Sequence, residues 1–258
     1  MSCVSPALFG GLGSVGRLKS YRGVTIGALP FVYAPDEILL HFAPIIDAIF
    51  KGQSPDMLRL GVISPLTKSG GRFRPVTLLE PLWKACMKLV ADRVLNLFQK
   101  HQLLDDAQYA FVRGGTVSKP IEIANHVTHD AVARKKTAHL VLLDATSAYD
   151  VVPVDVVGLA FARLGAPKQF TDWLAAATTG HRRLVRTTGG ISETPFALSG
   201  LPQGCPLSPP LWTSIVDIAL TYARKRGGEG YEILSPDDVQ NTDHRRWGKA
   251  GPLFVFLK

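Results

Sequence analysis

Apolar side chains follow the period of a helix over several stretches of this chain and the period of a strand over a few others. Ile38, Leu39, Phe42, Ile45, Ile46 and Ile49 recur at the spacing that gathers one face of an α-helix. Pro35, Asp36 and Glu37 open that run with acids where the helix dipole favours them, and Gly52 closes it. After Pro81 a second stripe contains Leu82, Cys86, Leu89, Val90, Val94, Leu97 and Phe98, while Lys84, Lys88, Asp92 and Arg93 fall off it. That is the pattern of a core helix with a solvated face. Further helices are predicted over residues 118–135, 154–164, 170–177 and 210–224.

Shorter runs read as strands. Residues 60–66 form one, and Lys68-Ser69-Gly70-Gly71 turns the chain after it. Residues 139–143 are apolar and of strand length, which predicts a buried strand. Residues 183–188 and 194–198 flank Gly189-Gly190 as a β-hairpin. No internal repeat or long linker interrupts this order. It does not extend to the ends: residues 1–34 are Gly-rich, and residues 226–258 fit no clear element. The expected division is therefore an N-terminal segment (1–34), an ordered domain (35–225) and an irregular tail (226–258).

Composition narrows the class of protein. Hydrophobic residues make up 46% and charged residues 19%, a globular composition. Lys plus Arg is 29 and Asp plus Glu is 21, so the net charge is +8. A basic balance favours a polyanionic partner. Cys3, Cys86 and Cys205 are odd in number and lack CxxC spacing, which argues against a disulfide framework or a zinc site and suits a reducing compartment. No apolar run is long enough to span a bilayer, and no basic residue precedes the mildly apolar first 16 residues as in a signal peptide. The expectation is an intracellular protein, not secreted and not bound to membrane.

Candidate chemistry lies in two segments. Asp144 ends the apolar run 139–143, Tyr149 follows it five positions later, and Asp150 comes next. By itself Asp144 reads more readily as a strand-terminal residue that caps the next turn. Downstream stands Gly200-Leu201-Pro202-Gln203-Gly204-Cys205-Pro206-Leu207-Ser208-Pro209. Pro202 fixes the backbone, Gly200 and Gly204 permit close approach, and the Gln203 amide offers both a donor and an acceptor.

In this order and spacing the two segments resemble the palm of reverse transcriptases, specifically those of non-LTR (LINE-type) retrotransposons. The resemblance covers roughly residues 35–225. It implies an α/β (α+β) fold, the fingers and palm of a right-hand polymerase, with an incomplete palm sheet and no thumb. It also implies template-directed addition of dNTPs to a DNA primer on an RNA template, in the nucleus or cytoplasm. Asp144 carries over as the catalytic metal ligand for two Mg²⁺ ions. Tyr149 carries over as the aromatic that excludes the ribose hydroxyl, and Gln203 and Gly204 as supports for the nucleotide. Asp150 reads as structural, a turn or cap.

Arg74 and Lys68 fall where the family's fingers place cations on the triphosphate. For Lys68 a solvated basic loop is an equal reading. Gln108-Tyr109-Ala110-Phe111-Val112-Arg113 resembles a template-contacting turn, with Ala110 where the family has Gly. That makes Arg113 a candidate for nucleic-acid contact. Arg182 and Arg183 are candidates for tracking a phosphate backbone, against the bland reading of a solvated basic hairpin.

The family's aromatic-x-Asp-Asp hairpin is not where it should be. Tyr222-Ala223-Arg224 lacks the acid, and Asp237-Asp238 lacks apolar flanks. The expectation is thus a chain truncated before that motif and inactive, or nearly so, alone. Two rival readings stay open, a non-catalytic nucleic-acid-binding remnant and an RNA-directed RNA polymerase-like palm. The ring of Tyr149 argues against the latter. A product that never folds stably is a third possibility.

Overall fold

All six helices expected from the apolar stripes form: α1 (Asp36–Phe50), α2 (Pro81–Lys100), α3 (Ser118–Ala133), α4 (Val154–Arg163), α5 (Lys168–Thr178) and α6 (Ser208–Arg226). The structure is a computed structural model that describes residues 36–192, 194, 196–197 and 200–226. The Asp237-Asp238 pair and both terminal segments lie outside the described residues. No helix among the described residues is long and apolar enough to cross a membrane.

Among the described residues five strands make the sheet: β1 (Leu60–Thr67), β2 (Phe73–Leu79), β3 (Arg182–Thr187), β4 (Gly190–Ile191) and β5 (Phe196–Ala197). Their order is β2-β1-β3-β4, with β5 also paired to β3. β1 and β2 form an antiparallel hairpin through the expected turn, in the register Ile63↔Thr77 and Leu66↔Arg74. β1 and β3 run parallel, Gly61 opposite Arg183 and Val62 opposite Leu184. A parallel pair needs a long crossover, and the chain between β1 and β3 supplies it. The expected second hairpin also forms, but its return strand is split. Between its two pieces, Ser192 exchanges hydrogen bonds with the Val185 backbone, using its Oγ and its N–H, both at 2.9 Å.

The described chain divides into two compact units. One draws on residues up to Asn96 and on Ser147–Trp212, the other on Leu97–Thr146 and on residues from Thr213. The core of the first is built on α2, where Leu82, Trp83, Cys86, Met87, Val90 and Val94 are buried. The buried face is broader than the sequence stripe because Trp83, Ala85, Met87 and Ala91 join it. Phe170 packs on Phe161 and on Trp173, with ring centroids 5.6 and 5.7 Å apart. The Trp173 indole N–H donates to the Ile49 carbonyl at 3.0 Å, which ties α5 to α1. In the second unit the carboxylate of Asp217, on α6 and buried, accepts the Asp105 N–H at 2.5 Å. Arg224 donates to the Asp105 carboxylate at 2.6 Å.

The predicted strand 139–143 does not form. Leu143 makes an isolated bridge, and residues 139–142 belong to no strand. Leu140, Val141, Leu142 and Leu143 are 50–64% exposed. An unbroken apolar run is the signature of a strand covered on both faces, but its burial depends on neighbouring strands. Beyond that bridge, the described residues provide none. Asp144 consequently does not emerge from a sheet edge, as the sequence had implied. It follows an exposed stretch without regular structure and is itself exposed.

One buried titratable group has a testable consequence. His181 is 5% exposed, stands edge-on to Trp83 with centroids 5.2 Å apart, and bonds the Ala177 carbonyl through Nε2 at 2.8 Å. Burial is the largest influence on its pKa and lowers it below the ordinary 6.5; the nearby Arg183 and Arg59 push the same way. The folded state then binds fewer protons than the unfolded chain just below pH 6.5. Stability is full above that pH, falls as pH drops toward the folded pKa, and levels off below it. His181→Gln is expected to flatten this part of the curve in urea melts run at successive pH values. An unchanged slope would mean that His181 does not carry it.

Candidate functional site

Residues 200–204 are bound to two other segments of the first unit. On one side the Leu201 N–H donates to the Tyr149 carbonyl at 2.7 Å. On the other, the Thr77 N–H donates to the Gln203 carbonyl at 2.6 Å. Thr77 lies on β2, the edge strand, so the loop satisfies a backbone donor that the sheet leaves open. Both glycines are required by this proximity. A Cβ on Gly200, at φ +83°, would sit 2.4 Å from the Tyr149 carbonyl oxygen. A Cβ on Gly204, at φ +131°, would sit 2.3 Å from that of Thr77. The Ser208 hydroxyl then donates to the Pro202 carbonyl at 2.9 Å, fastening the loop to the start of α6. Pro209 and Pro210 fit the first turn, where no N–H is needed.

Tyr149 is 8% exposed, and its ring centroid lies 6.1 Å from that of Trp212. Burial pushes its phenol up to about 12, so it presents a neutral ring. The turn that carries it includes Ser147 at φ 53° and closes with the Asp150 N–H donating to the Ser147 carbonyl at 2.8 Å. The Asp150 carboxylate accepts Gln203 Nε2 at 3.0 and 3.2 Å, one distance for each oxygen. This is the most specific side-chain link in the cluster, joining the two sequence motifs directly.

The structure thus sets Gln203 and Gly204 against Thr77 and joins the same loop, through Leu201, to the Tyr149 backbone. Arg74 is exposed on the same strand as Thr77, and Lys68 is exposed in the hairpin turn. Arg182 is exposed at the start of β3. Arg183 is a correction. It is 3% exposed, donates to the Arg182 carbonyl at 3.2 Å, and lies beside buried Cys205. Burial lowers its pKa. Its guanidinium faces the interior and is not free to follow a phosphate backbone. Burial likewise raises the Cys205 thiol, which argues against a nucleophilic role.

Asp144 and Arg113 belong to the second unit, and both are exposed. The Arg113 loop is shaped by Gln108, whose Nε2 donates to the Ala110 carbonyl at 2.9 Å, and by Phe111 at φ 55°. Among the described residues no group of three or more His, Cys, Asp or Glu is placed to hold a metal ion. Mg²⁺ gives up its water reluctantly and needs anionic ligands in near-octahedral array. The described residues therefore do not fit a two-metal centre, and no catalytic step is assigned to one.

A sequence profile of the family described as reverse transcriptase (RNA-dependent DNA polymerase) matches residues 66–234, more than half of the 258 residues. The chain belongs to the reverse transcriptase family. The non-LTR resemblance is borne out by its relatives. This reverse transcriptase chain is similar to the "Probable RNA-directed DNA polymerase from transposon BS" of Drosophila melanogaster, 27% identical over 187 residues, which cover 69% of this chain and 20% of the relative. It is similar to the RNA-directed DNA polymerase from mobile element jockey of Drosophila funebris, 26% identical over 187 residues, 69% and 20% of the two chains. It also matches the retrovirus-related Pol polyprotein from type-1 retrotransposable element R2 of Popillia japonica, 24% identical over 163 residues, 62% and 22% of the two. The chain spans about a fifth of the length of these relatives.

Three residues that hold this cluster together are not singled out as site residues from sequence: Thr77, Trp212 and Asp150. Nothing local marks Thr77, whose role depends on β2 being the sheet edge. Trp212 reads as one more apolar helix position. Asp150 carried the one usable signal, an acid directly after the motif aromatic.

Proposed function

We propose that β2, Tyr149 and residues 200–204 form the nucleotide platform of an RNA-directed DNA polymerase, within the fingers and palm of a right-hand fold. The observation that carries this reading is the loop 200–204, seated against the edge of β2 at Gln203 and Gly204 and bonded to the Tyr149–Asp150 turn, in a chain of this family. Tyr149 supplies a buried neutral ring against the sugar, and a ring leaves no room for the ribose hydroxyl. The Gln203 amide and the close backbone at Gly204 support the nucleotide. Arg74 and Lys68, both exposed, are assigned to the triphosphate, where cations offset charge. Arg182 and Arg113 are assigned to the phosphates of an RNA template and DNA primer. The family pattern assigns Asp144 to Mg²⁺, but the described residues around it do not complete such a site, so the platform reading rests on no metal. The setting is the nucleus or cytoplasm, where such nucleic acids are found.

Fluorescence anisotropy of a labelled RNA template–DNA primer duplex, with Mg²⁺ in the buffer, tests this. The complementary dNTP is expected to tighten the complex, and the three mismatched dNTPs are not. A non-catalytic binding remnant predicts an affinity that falls steeply with salt and ignores every dNTP. That result would contradict the nucleotide platform.

A further inference from the structure

Gln203 can present either end of its amide to a ligand, because Oε1 accepts and Nε2 donates. Which end faces outward is normally ambiguous, since the two are nearly isosteric. Here the neighbour resolves it. Asp150 offers only acceptor oxygens, and Nε2 lies 3.0 and 3.2 Å from them. The opposite orientation would set Oε1 against a carboxylate, oxygen to oxygen. Oε1 therefore turns away from Asp150, and it has no hydrogen-bond partner among the described residues. Gln203 is half-buried and its own carbonyl is held by Thr77, so the side chain hangs from a fixed backbone. Asp150 is equally fixed, by the bond from its N–H to Ser147.

We propose that Asp150 is a positioning residue. It holds the Gln203 amide in one orientation, so that the platform offers an acceptor, and not a donor, to the bound nucleotide. The ligand group that meets it is then a hydrogen-bond donor, a hydroxyl or an amine. This rests on the nucleotide-platform reading of the same loop. Asp150, which the sequence suggested was only a turn or cap residue, becomes the link through which the aromatic motif governs the glutamine motif.

A reciprocal exchange tests it. Asp150→Asn lets the amide turn over, so Nε2 faces the ligand part of the time. Gln203→Glu sets two carboxylates against each other. The double variant, carrying Asp150→Asn and Gln203→Glu together, restores the bond in reverse. The amide introduced at position 150 would donate to the carboxylate introduced at position 203, whose second oxygen still faces outward as an acceptor. All three are made in the full chain. Each is read by its thermal midpoint and by the tightening that the complementary dNTP produces on the labelled RNA–DNA duplex. Each single variant is expected to lose about three- to tenfold in nucleotide response, the range of one well-placed hydrogen bond. The double variant should return to within about twofold of the original chain, within the context-dependence of such a bond. A merely structural role predicts no such recovery of nucleotide response.

Wild-type response in Asp150→Asn would overturn the positioning role and leave the platform intact. So would a double variant no better than its weaker parent. No response in the original chain would contradict the platform and remove the positioning role with it. If Gln203→Glu melts below the assay temperature, Asp150→Asn alone decides.

Discussion

Truncating Trp83 to alanine is expected to lower the stability of the fold by about 3–5 kcal/mol, the range for deleting a large buried aromatic. Trp83 is 1% exposed in the first turn of α2 and packs edge-on against His181. Its backbone N–H is satisfied by the Glu80 carboxylate at 2.9 Å, so the start of the helix is fixed around it. Such a helix start cannot move inward to refill the space, which places the expected loss toward the upper end of the range. Domains of this size are stable by about 5–15 kcal/mol, so the variant would lose a large share of the margin. Urea melts measure it. A loss below about 1.5 kcal/mol would mean that the site collapses easily, against the packing described.

Alanine at Gly204 is the second large effect, and it acts on stability and site together. The new Cβ would meet the Thr77 carbonyl oxygen at 2.3 Å, with the backbone held at φ +131°. A methyl at that distance cannot be absorbed by a rotamer change, because its neighbour is backbone. Either the loop lifts off β2, losing the bond from Thr77 to Gln203, or the strand edge bends. Strain of about 1–3 kcal/mol and one lost backbone hydrogen bond of about 0.5–1.5 kcal/mol set the scale. Gln203 moves with the loop, so the dNTP response should vanish even where the variant remains folded. A folded Gly204→Ala protein with the original nucleotide response would show that close approach to β2 is not needed for binding.

Much of this architecture could be read from the chain because helices encode themselves locally. A stripe such as Ile45, Ile46 and Ile49 needs only its own residues to declare a buried face, and α1 buries Ile46 and Ile49 as expected. Strands depend on partners. The run 139–143 has the composition of a covered strand, yet its burial belongs to whatever pairs with it. Arg183 shows the same limit on a smaller scale. Side chains alternate along a strand, so a single step takes the chain from exposed Arg182 to buried Arg183. The basic run from His181 to Arg183 carries no sign of which of them faces inward.

The site was readable to a similar depth. Gly200, Gln203, Gly204 and Tyr149 stand in motifs whose chemistry can be argued residue by residue, and the fold brings them together. Their connection to Asp150 and Thr77 was not readable. It depends on which edge of the sheet stays open and on how a turn near residue 150 meets a loop about fifty residues later.

The nucleotide platform is tested most directly at Tyr149. The Tyr149→Ala protein, bound to the labelled RNA template–DNA primer duplex, is titrated with the complementary dNTP and then with the matching rNTP. The original chain should respond to the dNTP and reject the rNTP. Opening the ring's space should weaken that discrimination at least about tenfold, the scale on which a pocket rejects one ill-fitting group. Unchanged discrimination in a folded Tyr149→Ala protein would contradict the assignment of this ring, and of the loop beside it, to the sugar of an incoming nucleotide.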